Sequence, residues 1–177
     1  MFKTKKSGFT IIEVVLVLAI AGLIFLMVFV ALPALQRSQR DTQRKNDATQ
    51  LKTAIDNYKS NNRGGVPSQS DMAIGSLGGM LIDRSDSNFY QSYLIRGDEN
   101  NFISPEGKPY FSSANYSGTI SGGSWKPEPS DNPWAYNQFH FGTGTYCDGE
   151  AKRVGGGPNN YTIQILLESG GVICLDG

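Results

Sequence analysis

One carboxylate, Glu13, stands in the 25 residues from Ile11 to Leu35, a run otherwise fit only for hydrocarbon. An acid in such a segment is costly, so by default it marks a functional position. Other residues able to do chemistry are sparse. His140, the single histidine, lies in Phe139-His140-Phe141. Period-two alternation sets it opposite the face of the two phenylalanines, which reads as an exposed strand residue rather than a base or metal ligand. No Ser/His/Asp or Cys/His set assembles around it. Gly155-Gly156-Gly157-Pro158 is followed by neither Lys-Ser/Thr nor a helix, so it is not a phosphate loop. Asp98-Glu99-Asn100-Asn101 and the pair Asp83/Asp86 offer oxygens for calcium but lack EF-hand spacing, and read as solvated loops. No catalytic residue, metal site or cofactor is expected; calcium in these loops is the one cofactor left open.

The elements that must position Glu13 begin at the chain start. Val14 to Leu35 is 22 residues without a charge, enough at ~1.5 Å per residue to span a ~30 Å hydrocarbon layer as a helix. Lys3, Lys5 and Lys6 precede it, placing the N-terminus in the cytoplasm and the remainder across the membrane. A cleaved secretory signal is the rival, since Ala19-Ile20-Ala21 offers an A-x-A pattern; the apolar run continues well past it, too far for such a signal. Residues 36–63 lack Gly and Pro, and Ala48, Leu51, Ile55 and Tyr58 form one apolar stripe at helical spacing. The helix is expected to run on through them, with a kink at Pro33, and to end at Gly64-Gly65 before Pro67.

Beyond it, residues 64–133 are rich in turn chemistry. Within them Asn88 to Ile95 reads as either a short helix or a strand. Trp125 and Trp134 are either loop anchors or part of an adhesive surface. Residues 134–177 read as sheet: Trp134–Phe141 and Tyr161–Glu168 are aromatic and β-branched runs. In the second, Tyr161, Ile163, Ile165 and Leu167 share one face, with Thr162, Gln164 and Glu168 on the other. Gly170-Gly171 then turns the chain into Val172–Leu175. An antiparallel meander of at least three strands results, with the helical stripe over one face: an α+β fold.

Net charge is zero but unevenly spread. Residues 36–63 carry seven Lys/Arg against three Asp, or +4; residues 64–177 carry six Lys/Arg against twelve Asp/Glu, or −6. An acidic head repels phosphate backbones, so DNA binding is not indicated. With that head outside the cytoplasm, Cys147 and Cys174 are expected to form a disulfide. Closing their span would stabilise the fold by roughly 3–4 kcal/mol on the chain-entropy model.

The junction Ser7-Gly8-Phe9-Thr10-Ile11-Ile12-Glu13 resembles the class III signal of type IV prepilins and type II secretion pseudopilins. The resemblance implies a leader at 1–8, a membrane and filament-core helix at 9–35, its amphipathic continuation at 36–63, a variable region at 64–133 and a β-meander with a C-terminal disulfide loop at 134–177. It implies that a prepilin peptidase cuts after Gly8 and that Phe9 becomes an N-methylated terminus. Glu13 matches the family's glutamate at mature position five. Gly22 and Pro33 bracket a stretch that loses helical hydrogen bonds in filaments of this family; the family's proline commonly lies about three residues earlier than Pro33, and an ordinary proline kink is the alternative. Implied partners are further copies of the chain in a homopolymer, minor pilins, and the inner-membrane assembly platform with its ATPase. The implied location is the cytoplasmic membrane first and the surface filament afterwards. A shaft subunit is the first reading; a minor pilin or pseudopilin is the alternative, and a membrane-tethered enzyme or binding module the rival from another class.

On this reading Glu13 meets a cation its own sequence lacks, the N-terminal amine of a neighbouring subunit. Two unit charges ~4 Å apart attract by about 4 kcal/mol at an effective dielectric near 20, less desolvation. The alternative is a side chain snorkelling to the headgroups a few positions from the membrane edge.

Overall fold

Helix α1 covers Ile11–Asn61. Around it, the computed structural model describes residues 8–68, 71–72, 80–81, 89–94, 102–114, 124–125 and 135–177. The chain divides into two compact units, residues 1–38 and 39–177, with α1 beginning in the first and ending in the second.

In the first unit α1 starts at a reciprocal cap. Thr10 supplies its side-chain oxygen to the Glu13 N–H at 3.4 Å, and Glu13 reaches back to the Thr10 N–H at 3.5 Å. This is the Thr-x-x-Glu capping box, which satisfies two donors that a helix start otherwise leaves orphaned. The helix is unbroken through Gly22 and Pro33. The large apolar side chains from Phe9 to Leu35 are uncovered, from 43% exposed at Leu32 to 86% at Ile11. By length and composition this stretch can cross a membrane.

In the second unit the expected stripe is the buried one: Ala48, Leu51 and Ile55 are closed to solvent and Tyr58 is half-buried, with Ala54 buried beside them. They join Phe139, Phe141, Tyr161, Ile163 and Ile165 in one core, widened by Phe89, Tyr90, Phe102 and Tyr110. Aromatic rings pack edge-on, tilted or stacked there, as Tyr110 is tilted on Phe139 at 4.6 Å between centroids and Phe102 is stacked on Phe139 at 5.6 Å. The helix stops at Asn61, and the left-handed position after it is Arg63 (φ 55°), while the Gly64 N–H bonds the Lys59 carbonyl at 2.8 Å. The segment left open as helix or strand contains a π-helical turn, Tyr90–Leu94.

The strands are β1 (Met80–Leu81), β2 (Phe111–Ala114), β3 (Ser124–Trp125), β4 (Gln138–Thr143), β5 (Thr145–Asp148), β6 (Ala151–Val154), β7 (Tyr161–Leu166) and β8 (Val172–Asp176). They make two sheets, ordered β1-β2-β4-β7-β8 and β3-β6-β5. The hairpin β7–β8 forms as expected, with Gly170 and Gly171 at φ 89° and 93° where a side chain would strain the turn. The rest departs from a simple meander. Strand β2 runs parallel to β4, and the chain leaves the first sheet after β4, forms the β5–β6 hairpin in the second and returns as β7. Ala135–Asn137 is a 3-10 turn, so β4 starts at Gln138.

The second sheet corrects one expectation. Thr162 and Gln164, on the β7 face opposite Tyr161, Ile163 and Ile165, are buried: the Thr162 and Thr145 hydroxyls meet at 2.8 Å, and the Gln164 side-chain amide donates to the Glu150 carbonyl at 2.8 Å. His140, paired opposite Gln164, is likewise only 8% exposed, because the β4 face read as solvent is a second interior. A Cβ at Gly142 would sit 2.9 Å from Thr145 Oγ1 and 3.1 Å from Thr162 Oγ1, so only glycine admits this close approach.

Candidate processing and assembly site

Gly8, Phe9 and Thr10 precede the helix in exposed, irregular backbone, and nothing lies within 4 Å of where a Gly8 Cβ would stand. A peptide bond between Gly8 and Phe9 is therefore accessible and free of helical hydrogen bonds, the condition a protease needs. Phe9 stands just before the N-cap and Val14 one turn in, the two positions of a hydrophobic staple. With Glu13, Val17 and Leu18 they line a hollow of about 300 Å³. Two residues missed as a pair in the sequence, Thr10 and Glu13, thus set the helix start, and their signal was legible: Thr-x-x-Glu before an apolar run. Gly22 is exposed with open space beside it, and Pro33 lies further along the same helix.

A second constellation holds the head together. The buried stripe of α1 continues N-terminally past Ala48 with charged residues, Asp41 and Arg44, on the same three-four spacing. Arg44 is fully buried. Its guanidinium contacts Glu168 Oε1 at 2.7 Å, Asp41 Oδ1 at 3.3 Å and the Tyr136 carbonyl at 3.1 Å, and it also pairs with Glu106. Arg40 grips Glu168 bidentately at 2.6 and 2.9 Å. Asp41 accepts the backbone N–H groups of Glu168 and Ser169 at 2.8 and 2.9 Å, fastening the β7–β8 turn to the helix. Hydrogen bonds from Arg40, joined by Arg44, hold the Glu168 carboxyl down at about 2. Elsewhere Asp47 accepts the Tyr110 hydroxyl and Asp56 the Tyr161 hydroxyl, each at 2.6 Å. These charges satisfy one another, so the arrangement anchors rather than reacts.

Between the sheets burial pushes His140 down to about 3, with the charge of Lys152 acting in the same direction; burial also lowers the Lys152 amine to about 8. Cys147 of β5 and Cys174 of β8 are joined in a disulfide with Cα atoms 5.8 Å apart, tying the second sheet to the edge strand of the first. Cys147 lies within β5. Among the described residues no group of three or more His, Cys, Asp or Glu is placed to hold a metal. The acidic clusters at Asp83/Asp86 and Asp98–Asn101, and Trp134, lie outside the described residues.

Comparison of the chain with curated proteins and with solved structures finds no match. Comparison with family models does: residues 3–29 match the prokaryotic N-terminal methylation motif. That span holds Lys3, Lys5, Lys6, Gly8, Phe9, the Thr10–Glu13 cap and most of the apolar half of α1. The N-terminal segment of this α+β chain therefore carries the class III signal of type IV pilins and pseudopilins, and its exposed apolar helix fits membrane anchoring before assembly.

Proposed function

We propose that the chain is the shaft subunit of a type IV pilus-like filament. A prepilin peptidase cuts between Gly8 and Phe9, Phe9 is N-methylated, and the subunit waits in the cytoplasmic membrane. The assembly platform and its ATPase then draw it into a filament at the cell surface, with minor pilins as accessory partners. The observation that carries this reading is Glu13: one acid at the head of an uncovered apolar helix, inside a matched methylation motif. Its carboxylate lies four residues from the new terminus, where a neighbour's cationic amine would neutralise it on leaving the bilayer. Charge asymmetry supports head-to-tail packing, because the stem at 36–63 is +4 and the remainder beyond it −6. Such a contact is heterologous, and heterologous contacts that do not close into rings make filaments.

The test is the N-terminus of the main protein in sheared surface filaments. Mass spectrometry is expected to find N-methyl-Phe9 there. Gly8→Val, which puts a β-branched side chain before the cut and narrows its extended conformations, is expected to leave uncut protein in the membrane. Wild-type surface material that retains Met1 overturns the reading.

A further inference from the structure

A strand at the end of a sheet has one neighbour, and its outer backbone groups must find partners elsewhere. At β5 the outward Cys147 N–H is taken by the Asp176 carboxylate at 2.9 Å. At β8, an end strand of the first sheet, the outer side is open. Tyr161 and Gly177 exchange both backbone bonds, and the Leu167 N–H bonds the Gly171 carbonyl. By alternation along an antiparallel pair, Ile173 and Leu175 also bond β7, which turns the N–H and C=O groups of Val172, Cys174 and Asp176 outward. Among the described residues none of these outward groups has a hydrogen-bond partner.

The devices that usually blunt such an edge are missing. Val172–Asp176 has no proline, no lysine and no bulge in its register with β7. Its one charge, Asp176, is turned onto β5. The side chains are unfinished as well. Ile173 and Leu175, on the core face, are half-buried where the core reaches the edge. A strand laid along β8 would bond the open groups and extend the core over these two residues at once.

We infer that this edge pairs with β8 of a second copy of the chain, antiparallel about a two-fold axis at Cys174. The occupant follows from the strand's self-complementarity. With Cys174 opposite its own copy, every outward residue meets an outward residue, Val172 against Asp176 at both ends, for about six backbone hydrogen bonds. A shift that centres the pair on Ile173 or Leu175 leaves about four. In the favoured register Ile173 lies across from Leu175 on either side of the axis, an apolar ladder, and no acid faces an acid. The two Asp176 residues stand about 14 Å apart at ~3.4 Å per residue, where physiological salt screens most of their repulsion. An isologous contact of this kind closes on itself, so it cannot propagate a filament. It joins chains that are not axial neighbours, and it stands whether or not the chain builds the filament proposed above.

The test uses the full chain, unassembled in detergent with micelles in excess. Amide hydrogen exchange, resolved residue by residue, is followed as the protein is concentrated. Val172, Cys174 and Asp176 are expected to exchange at least fivefold more slowly in the concentrated sample, while Ile173 and Leu175, already bonded to β7, change by less than twofold. Two variants then separate backbone from side chain. Asp176→Pro deletes one outward N–H and leaves the bonds of Leu175 and Gly177 to β7 in place, whereas Asp176→Ala removes the carboxylate and keeps the N–H. The concentration effect is expected to vanish at Val172 and Cys174 in the first and to persist in the second, with the Cys147–Cys174 bridge intact in both. Exchange independent of concentration in the wild-type chain overturns the proposal, and that readout needs no variant. Loss of the effect in both variants overturns it too, since the side chain then carries the contact. Persistence in both does the same, because another surface then joins the copies.

Discussion

Arg44 and His140 show two opposite ways of hiding a titratable group. Arg44 is buried with its charge because Glu168, Asp41 and Glu106 surround it and the Tyr136 carbonyl takes a further donor. Removing Arg44 would leave Asp41 and Glu106 without their shared cation, the situation that makes such clusters costly to break. His140 is buried by giving up its charge, with its titration displaced to about 3 by burial and by Lys152. Glu168, displaced to about 2, keeps its charge at any ordinary pH. Both groups have folded values below their unfolded ones, so the unfolded chain binds more protons as acid is added. The stability these two groups contribute is therefore complete above about pH 6.5 and is lost as pH falls, first through the histidine range and then through the carboxylate range. The expected result, for detergent-solubilised protein followed by circular dichroism, is a thermal midpoint that drops steadily from about pH 6.5 to about pH 3. His140→Leu is expected to flatten the upper part of that slope, between about pH 6.5 and about pH 4.5, whatever it does to the absolute midpoint. A wild-type midpoint independent of pH over this window would contradict the account.

Among elements, the least predictable is the small sheet, and the disulfide depends on it. Strand β5 is tied to β8 through Cys147–Cys174, and the Cys147 N–H also bonds the Asp176 carboxylate at 2.9 Å. Cys147→Ser is expected to lower head stability by ~2–5 kcal/mol, as loss of a native bridge commonly does. If β5–β6 depends on this bridge, proteolysis should cut first near Gly149–Glu150, at the tip of that hairpin. Denaturant unfolding and the order of proteolytic cuts measure the two parts separately; unchanged stability in the variant would show that β-pairing alone suffices. The elements legible in the sequence are those with a strong local signal. Four apolar residues at helical spacing gave the stripe of α1, and alternation ending in Gly170-Gly171 gave β7–β8. Strand β2 has no such signal, for Phe-Ser-Ser-Ala carries one large apolar residue, and its parallel pairing with β4 is long-range. The β5–β6 hairpin had one, Asp148-Gly149 between two short runs, but Ala151–Val154 contains Lys152 and Arg153 and reads as surface. Missing that layer made His140 look solvated. The charged extension of the α1 stripe escaped for the same reason: counting only apolar residues ends the face at Ala48, although Asp41 and Arg44 continue it.

For the whole molecule, Glu13 has two partners at different stages. In the single chain its carboxylate closes a capping box with Thr10; in a filament it would face a neighbour's amine. These roles separate by substitution, because glutamine can serve a capping box but carries no charge, while alanine does neither. Loss of the cap alone costs about 1 kcal/mol of helix stability and acts on one chain at a time. Loss of the charge leaves an incoming amine unpaired in a dry core, a larger penalty that appears only on assembly. Insertion and cleavage after Gly8 are therefore expected to survive both Glu13→Gln and Glu13→Ala, since each removes a costly acid from the apolar run. Sheared filaments are expected to be absent from cells making either variant alone. Normal filaments from Glu13→Gln with none from Glu13→Ala would instead assign the residue to the cap. In cells that also make wild-type protein, dose distinguishes a shaft subunit from a rare one. A subunit present in many copies should shorten filaments progressively as the variant fraction rises, whereas a tip or initiating subunit should change their number and leave their length. Length distributions from electron micrographs across a titrated variant dose decide it, and constant length would remove the shaft assignment while leaving processing untouched.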